Sequence, residues 1–275
     1  MNEQVCLITG GNTGIGLATA IGLAQLGVHI VIVSRDRNRG ETAVTQIKQA
    51  ANNTHVDLLV ADLSSQAQIR RLADEFLERN NRLDVLVNNA GVIPQTRQVT
   101  EDGYELQFAV NHLAYFLLTN LLLDLIKASA PARIVNVSSQ VHAWATIDFD
   151  DLQNERRYNP TGVYGQTKLM NVLFTYELAR RLEGTAVTAN CLHPGVISTN
   201  LNAAYMGRSQ DMASMSQLMD GAQTSIYLAS SPEVEGVTGK YFSHQRTQRS
   251  ADLSYDESVA AKLWQISARM TGLAV

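Results

Sequence analysis

The sequence is poor in cysteine, proline and aromatic residues, with two cysteines, five prolines and an aromatic fraction of 6% in 275 residues. Cys6 and Cys191 both lie in apolar runs typical of buried strands, so a disulfide framework is not expected. The formal net charge of −4 gives no basic surplus of the kind that attracts nucleic acid or an anionic membrane. The hydrophobic fraction of 45% is enough for a sizeable core.

The sequence also has no long uninterrupted hydrophobic run. The most apolar stretch, LAYFLLTNLLLDLI at 113–126, contains Asn120 and Asp124 and is shorter than the roughly 18 residues that a membrane span needs. The chain begins MNEQVCLITGG, so we expect a strand within a few residues of Met1 and no signal peptide or anchor. These features predict a cytoplasmic protein with no membrane span and no nucleic-acid partner.

Short apolar runs alternate with helical patterns along the whole chain. The runs are rich in Val, Ile and Leu, and near-continuous apolarity is typical of strands covered on both faces. Their positions are 5–10, 29–35, 56–62, 84–91, 133–139, 187–195 and 239–242, with helices expected at 16–26, 37–51, 65–79, 101–128, 161–183 and 259–270. This alternation predicts an α/β fold: a single doubly wound Rossmann-type domain over 1–275, with a central parallel sheet flanked by helices.

The turn after the first predicted strand is rich in glycine. In TGGNTGIG at 9–16, Gly10, Gly14 and Gly16 let the backbone approach a pyrophosphate, and the following helix offers free N–H groups and positive potential. The spacing differs from the G-x-G-x-x-G of many dehydrogenases. Because the cluster opens the first strand–helix unit, it still predicts a dinucleotide site, which would also include Asn12, Thr13 and Ile15.

The end of the second strand predicts which dinucleotide binds. An NAD site usually has an acidic residue there for the ribose 2′-hydroxyl, but this sequence has Ser34 followed by Arg35. A guanidinium suits a 2′-phosphate, so we expect NADP(H). Asp36 complicates this prediction, because an inward carboxylate would repel the phosphate. The ends of strands three and four would line the same cofactor with Asp62, Leu63, Asn89, Ala90 and Gly91.

Tyr164 and Lys168 occur in YGQTK, where helical spacing places them on one face. A free tyrosine has a pKa near 10, and a neighbouring ammonium lowers that pKa by favouring the phenolate. Strand five ends in Ser138 and Ser139, either of which could hold a substrate carbonyl against the phenol. Beside a nicotinamide, these groups suit hydride transfer coupled to proton transfer.

TGGNTGIG, NNAG, VNHLAYFLLT, RIVNVSS, YGQTK and HPGVIST follow one another along nearly the whole chain. In this order they resemble the short-chain dehydrogenases/reductases. The resemblance implies that Tyr164 is the catalytic acid/base, that Lys168 lowers its pKa and binds ribose, and that Asn111 anchors a water linking Lys168 to solvent. It favours Ser139 over Ser138, because the family pattern places the catalytic serine last in VNVSS. Around the nicotinamide it implies Pro194, Gly195, Val196, Ile197 and Thr199.

A narrower resemblance is to the retinol dehydrogenase/WW-domain oxidoreductase branch. It is carried by NHLAYFLLTNLLLDLIKASAPARIVNVSS, LARRLEGTAVT, GKYFS and AAKLWQIS, and by the 25-residue spacing from Ser139 to Tyr164. The branch implies a substrate loop at about 140–160 and a lid at about 196–220. Its N-terminal membrane anchor is not expected in this chain, so an apolar aldehyde is favoured over membrane-delivered retinol. Protochlorophyllide reductase shares the scaffold and is a more distant alternative.

Two functions are compatible with these features. The first is an NADP(H)-dependent alcohol dehydrogenase or carbonyl reductase acting on an apolar small molecule; the second is a catalytically idle NADP(H)-binding redox sensor or scaffold. The set Asn111, Ser139, Tyr164 and Lys168 favours the enzyme.

The histidines lack metal-ligand spacing, so no metal is expected. Surplus apolar residues on the helices at 101–128 and 161–183 predict a homodimer or homotetramer.

Overall fold

The central element of the fold is one sheet of eight strands. A computed structural model of the chain describes residues 4–197, 201 and 213–274. The strand order is β3-β2-β1-β4-β5-β6-β7-β8, parallel from β3 to β7, with β8 antiparallel to β7. The strands are β1 Val5–Thr9, β2 His29–Ser34, β3 Val56–Val60, β4 Val85–Asn88, β5 Ala132–Val137, β6 Val187–His193, β7 Tyr241–Ser243 and β8 Arg246–Gln248.

Helices connect the strands and cover both faces of the sheet. They are α1 Gly14–Gln25, α2 Arg37–Ala51, α3 Gln66–Arg79, α4 Leu106–Phe108, α5 Ala114–Leu121, α6 Leu123–Ala128, α7 Pro160–Arg181, α8 Met215–Ser230 and α9 Glu257–Met270. A π-helical turn, Ala109–Leu113, joins α4 to α5, and short 3-10 helices span Gln140–Trp144, Pro232–Val234 and Asp252–Tyr255.

Alternate residues of the central strands supply two hydrophobic cores. In β1, Leu7 faces the core formed with α3, α5 and α7, whereas Cys6 and Ile8 face the core formed with α1, α2 and α8. Because both faces of the sheet are buried, these strands are continuous apolar runs in the sequence. The α/β fold with a central, mostly parallel sheet is therefore confirmed.

Some predicted boundaries were wrong. Strand four ends at Asn88, so the predicted 89–91 segment is a loop, and the predicted single helix at 101–128 begins only at Leu106 and is interrupted by the π-helical turn. β8 was missed because Arg246–Gln248 is exposed along its length and has no apolar pattern.

One helical stretch has the length and composition of a membrane span. Leu106–Ala128 has 23 residues and a mean hydropathy of 1.4 in its most apolar window, of which 72% is buried inside the structure. A core helix of a soluble protein has the same properties, so this stretch is weak support for a span.

Candidate active site

A cavity of about 690 Å³ opens at the carboxyl ends of the parallel strands. This is the edge at which doubly wound sheets bind their ligands. Of the predicted site residues, it is lined by Gly10, Asn12, Thr13, Gly14, Ile15, Gly16, Ser34, Arg35, Asp62, Leu63, Asn89, Ala90, Gly91, Ser139, Tyr164, Lys168, Pro194, Gly195, Val196 and Ile197. Asn111 lies behind the lining, and Thr199 lies outside the described residues, as does most of the lid predicted at 196–220.

The glycine turn requires its glycines for two different reasons. Gly10 and Gly14 have φ angles of 65° and 57°, in the left-handed region. A Cβ on Gly16 would lie 2.3 Å from the Gly10 carbonyl oxygen, so only glycine fits this close approach. Thr13 begins α1 without a side-chain cap, which leaves the first N–H groups of the helix available to an anion.

Asn89 holds this turn in place. Its side-chain amide donates to the carbonyl oxygens of Thr9, at 2.9 Å, and Gly10, at 3.3 Å. The Thr9 hydroxyl oxygen in turn accepts from the backbone N–H groups of Asn89 and Ala90. The predicted cofactor residue Asn89 therefore supports the glycine turn, because its amide is already engaged beneath the cavity surface.

Two arginines lie at the far end of the cavity, which Asp36 and Asp62 also line. Arg35 and Arg39 are both exposed and both line it. The Asp36 carboxylate accepts from the Arg39 backbone N–H at 2.9 Å and caps α2, while the buried Ser34 hydroxyl donates to the Asp36 carbonyl oxygen. Sequence reasoning missed Arg39, although its spacing of four residues from Arg35 at a predicted helix start was a usable signal.

Lys168 is buried beneath the centre of the cavity. Its Nζ donates to the Val137 carbonyl oxygen at 2.9 Å, at the end of β5. The same Nζ lies 5.4 Å from the ring centroid of Tyr164 and 5.6 Å from that of Tyr115. Burial lowers the pKa of Lys168 from its ordinary value of 10.5 to about 7. The structure thus brings the predicted phenol and ammonium together, as helical spacing implied.

The two adjacent serines both line the cavity but differ in burial and in hydrogen-bond partners. Ser138 is 1% exposed, and its hydroxyl donates to the Lys168 backbone carbonyl oxygen at 2.8 Å. Ser139 is partly exposed, lines the cavity and caps the 3-10 helix that follows. A substrate in the cavity can therefore reach the Ser139 hydroxyl, whereas that of Ser138 already has a buried partner.

Asn111 lies in the π-helical turn, where its side chain fixes a neighbouring loop. Its Oδ1 accepts from the Val92 N–H at 2.8 Å, and its Nδ2 donates to the Val92 carbonyl oxygen and to the Thr167 hydroxyl. These contacts place Asn111 between the loop after β4 and the helix that carries Lys168. π-helical turns are common at functional sites.

The substrate side of the cavity is mostly apolar. Ile93 and Pro94 line one part of it, and Val141 and Trp144 line another. Trp144 and Val196 are 75% and 73% exposed at this rim. Val141 and Trp144 belong to the loop predicted at 140–160, whereas Ile93 and Pro94 were not predicted because they follow β4 without a motif.

Two histidines near the site are held in their neutral forms. Burial lowers the pKa of His112 and that of His193 to about 4. His112 contacts the Ser267 hydroxyl at 2.8 Å, away from the cavity, whereas His193 lies at the cavity wall. Within the described part of the chain, no group of three or more His, Cys, Asp or Glu residues is arranged to hold a metal ion.

Comparisons with known proteins identify the family. The family model for short chain dehydrogenase matches residues 4–210. Retinol dehydrogenase 14 of Mus musculus is 47% identical over 99% of this chain and 87% of its own length. Retinol dehydrogenase 13 of Homo sapiens is 45% identical over 98% of this chain and 85% of its own length. The sequence-based resemblance to the retinol dehydrogenase branch is thereby confirmed.

Solved structures show the same fold. A putative uncharacterized protein from Mycobacterium Paratuberculosis has a TM-score of 0.80 and 32% identity, covering 98% of this chain and 94% of its own. The RhlG/NADP complex of Pseudomonas aeruginosa and the 3-ketoacyl-(acyl-carrier-protein) reductase of Brucella melitensis complexed with NADH have TM-scores of 0.68 and identities of 26% and 25%. Each covers 87% of this chain, and they cover 93% and 95% of their own chains. The chain belongs to the short-chain dehydrogenase family, whose members are oxidoreductases that bind a nicotinamide cofactor and act on small molecules.

Proposed function

We propose that this protein is an NADP(H)-dependent oxidoreductase that interconverts an apolar alcohol and its aldehyde or ketone. The observation that carries this proposal is the placement of Tyr164 and Lys168, 5.4 Å from ring centroid to Nζ, in the cavity that also contains the uncapped start of α1. The residues present fit a nicotinamide dinucleotide, because the close approach at Gly16 and the free N–H groups of α1 suit a pyrophosphate. A bound nicotinamide supplies or accepts the hydride.

The chain's own residues provide the proton transfer and the orientation. Tyr164 donates a proton to the carbonyl oxygen in reduction and removes it from the alcohol in oxidation. Lys168 would contact the ribose of a bound cofactor and, when protonated, favours the phenolate of Tyr164. The Ser139 hydroxyl holds the substrate oxygen, and Asn111 anchors the water that links Lys168 to solvent.

The preference for NADP(H) is supported by two arginines. Arg35 and Arg39 offer guanidinium groups to a 2′-phosphate at the far end of the cavity. The Asp36 carboxylate, which argued against this preference, is engaged by the Arg39 N–H at the start of α2. Ser34 leaves β2 without the acidic residue that an NAD site usually has.

An apolar substrate is supported by the cavity wall. Ile93, Pro94, Val141 and Trp144 offer apolar surface on the substrate side. The relatives named retinol dehydrogenase suggest a retinoid-like alcohol or aldehyde as the first compounds to assay. The composition favours a cytoplasmic protein, and the apolar residues of α5 and α7 support a homodimer or homotetramer.

The alternative is a catalytically idle NADP(H)-binding sensor or scaffold. Such a protein needs the glycine turn and the arginines but has no use for a phenol, an ammonium and an accessible serine around one cavity. The placement of Ser139, Tyr164 and Lys168 therefore favours the enzyme over the binder.

The deciding experiment measures NADPH oxidation against a panel of apolar aldehydes and ketones, with Tyr164→Phe as the matched variant. We expect reduction by the wild type and a loss of roughly 100-fold or more in kcat for Tyr164→Phe, since the proton donor is removed. NADPH affinity should be nearly unchanged. Wild-type NADPH binding without turnover on any carbonyl would support the idle binder, and equal turnover by Tyr164→Phe would disprove the assigned mechanism.

A further inference from the structure

A buried histidine, His142, lies directly behind the serine that lines the cavity. His142 is 2% exposed and belongs to the 3-10 helix Gln140–Trp144, which Ser139 caps. A 3-10 helix has three residues per turn, so Ser139 and His142 lie one above the other. Val141 and Trp144 are also three residues apart, and both line the cavity. One short helix therefore presents substrate-facing residues to the cavity and His142 to the protein interior.

Both ring nitrogens of His142 have partners. Nδ1 lies 2.6 Å from the Ser139 carbonyl oxygen, and Nε2 lies 3.2 Å from the backbone nitrogen of Ala251. A backbone N–H only donates, so Nε2 must accept and cannot carry a proton. The proton is then on Nδ1, which donates to the Ser139 carbonyl oxygen. The two contacts together select one neutral tautomer, and burial lowers the pKa of His142, which keeps the ring uncharged.

The partner on the other side of the ring is itself fixed. The Ala251 carbonyl oxygen accepts from the Ser254 hydroxyl, whose oxygen lies 2.6 Å from the Ser250 hydroxyl oxygen. The Ser250 hydroxyl in turn contacts the Tyr176 hydroxyl of α7 at 2.8 Å. The segment around Ala251 is therefore anchored to the helix that also carries Tyr164 and Lys168.

We infer that His142 is a positioning residue that fixes Ser139 relative to the catalytic helix α7. The ring joins the Ser139 carbonyl group to the segment at 250–254, and that segment is joined to Tyr176. The spacing between the Ser139 and Tyr164 hydroxyls is thereby set from two sides, by β5 and by this hydrogen-bonded chain. The inference rests on the proposed role of Ser139 in holding the substrate oxygen.

Two conservative variants separate the two contacts of the ring. In His142→Asn, the side-chain amide replaces Nδ1 and still donates to the Ser139 carbonyl oxygen, but it does not reach Ala251. In His142→Gln, the longer side chain places its Oε1 to accept from the Ala251 N–H and leaves the Ser139 carbonyl oxygen without this donor. Both are neutral and polar, so they share the cost of replacing the buried ring.

We expect His142→Gln to lower kcat by about 10- to 100-fold, the effect of a small misplacement of a reacting group, with KM changed much less. His142→Asn should lower kcat to a similar extent, because it breaks the link to Ala251 and so also separates Ser139 from α7. NADPH affinity should be unchanged in both variants, because His142 does not line the cofactor end. Wild-type kcat in either variant would show that the broken link is not needed and would overturn the inference. Losses of kcat accompanied by equal changes in KM and in NADPH affinity would show a merely structural role and would also overturn it.

The tautomer provides a test that needs no variant. NMR of the wild-type protein with nitrogen-labelled histidine should show the His142 proton on Nδ1, and a proton on Nε2 would overturn the inference. A wild type that reduces no carbonyl would instead refute the proposed function. An active wild type with an unaffected His142→Gln variant would refute only the role of His142.

Discussion

The Lys168 Nζ donates to the Val137 carbonyl oxygen at 2.9 Å, which joins α7 to the end of β5 in the centre of the molecule. Lys168 is 1% exposed, and burial lowers its pKa to about 7. An ammonium buried in this way is costly to the folded state, and its use by the active site explains why it is there. Lys168 is therefore a residue at which stability and activity are expected to oppose each other.

Replacing Lys168 by methionine should stabilise the protein while removing its activity. The side chain keeps a similar apolar stem, and the cost of burying the charge disappears. At pH 7 we expect Tm to rise by a few degrees, given that about 1 kcal/mol shifts the Tm of domains approaching this size by roughly 2–4 °C. Lys127→Met, at an exposed position on α6, is the control and should leave Tm nearly unchanged. A fall in Tm for Lys168→Met would contradict this account.

The stability difference between wild type and Lys168→Met should depend on pH. The unfolded lysine binds its proton up to its ordinary pKa of 10.5, whereas the folded one loses it near 7. Between these values the unfolded state binds more protons, so wild-type stability rises with pH relative to the variant. The Tm advantage of Lys168→Met should be largest at and below pH 7 and should shrink towards about pH 10. A constant advantage across this range would show that Lys168 does not titrate there.

The adjacent serines should have separable effects. Ser139→Ala should lower kcat/KM by about 100- to 1000-fold with little change in Tm, as for loss of one donor to a reacting oxygen. Ser138→Ala removes a buried hydrogen bond to the Lys168 carbonyl group, which should cost about 1 kcal/mol of stability and change kcat only a few-fold. The reverse pattern would assign catalysis to Ser138. Measuring kcat/KM and Tm on both variants distinguishes the two outcomes.

Cofactor preference should depend on Arg35 and Arg39. A hydrogen bond between charged groups contributes roughly 1.5–3 kcal/mol, so Arg35→Ala should weaken NADPH by about 10- to 100-fold and barely affect NADH. Arg39→Ala should act in the same direction. Arg37→Ala is the matched control, because Arg37 lies between them in sequence but pairs with Glu41 on the helix surface. The measurement is kcat/KM for both nucleotides with one carbonyl substrate. Equal losses for the two nucleotides, or a wild-type preference for NADH, would contradict the NADP(H) assignment.

The sequence predicts the elements of this fold well where burial dictates residue type. The inner strands are apolar on both faces, and α2 was predicted with its observed bounds because it follows a clear strand end. The glycine turn and the pair Tyr164 and Lys168 were also predictable, because each is formed within one local segment. Local patterns carry this information directly.

Features that depend on distant contacts were not predictable. His142 and Ala251, which are in contact, are 109 residues apart in the sequence, and no local sequence pattern predicts this contact. In the same way, the sequence does not show that α9 returns to pack against α5 and α7, whose apolar residues predict an intersubunit surface. Single-sequence patterns indicate that a face is buried but not what buries it.

α9 packs against α5 and α7, the helices whose apolar residues predict a homodimer or homotetramer. The centroid of the Trp264 ring lies 4.8 Å from that of the Phe116 ring and 5.8 Å from that of the Phe174 ring. The Arg181 guanidinium lies 4.2 Å from the centroid of the Trp264 ring. These contacts give the apolar surface of α5 and α7 a partner within the same chain. The homodimer or homotetramer stays a prediction, and light scattering at micromolar concentration should give the mass of that oligomer, whereas a monomeric mass would contradict it.

Removing Trp264 tests this arrangement. Trp264→Ala should cost roughly 3–5 kcal/mol of stability and uncover Phe116 and Phe174, which should promote self-association. Trp144→Ala is the matched control, since the Trp144 side chain is 75% exposed and its loss should change neither mass nor Tm appreciably. A dimeric wild type whose mass is unaffected by Trp264→Ala would place the subunit interface elsewhere. A dimeric wild type that dissociates on Trp264→Ala would instead show that α9 joins subunits.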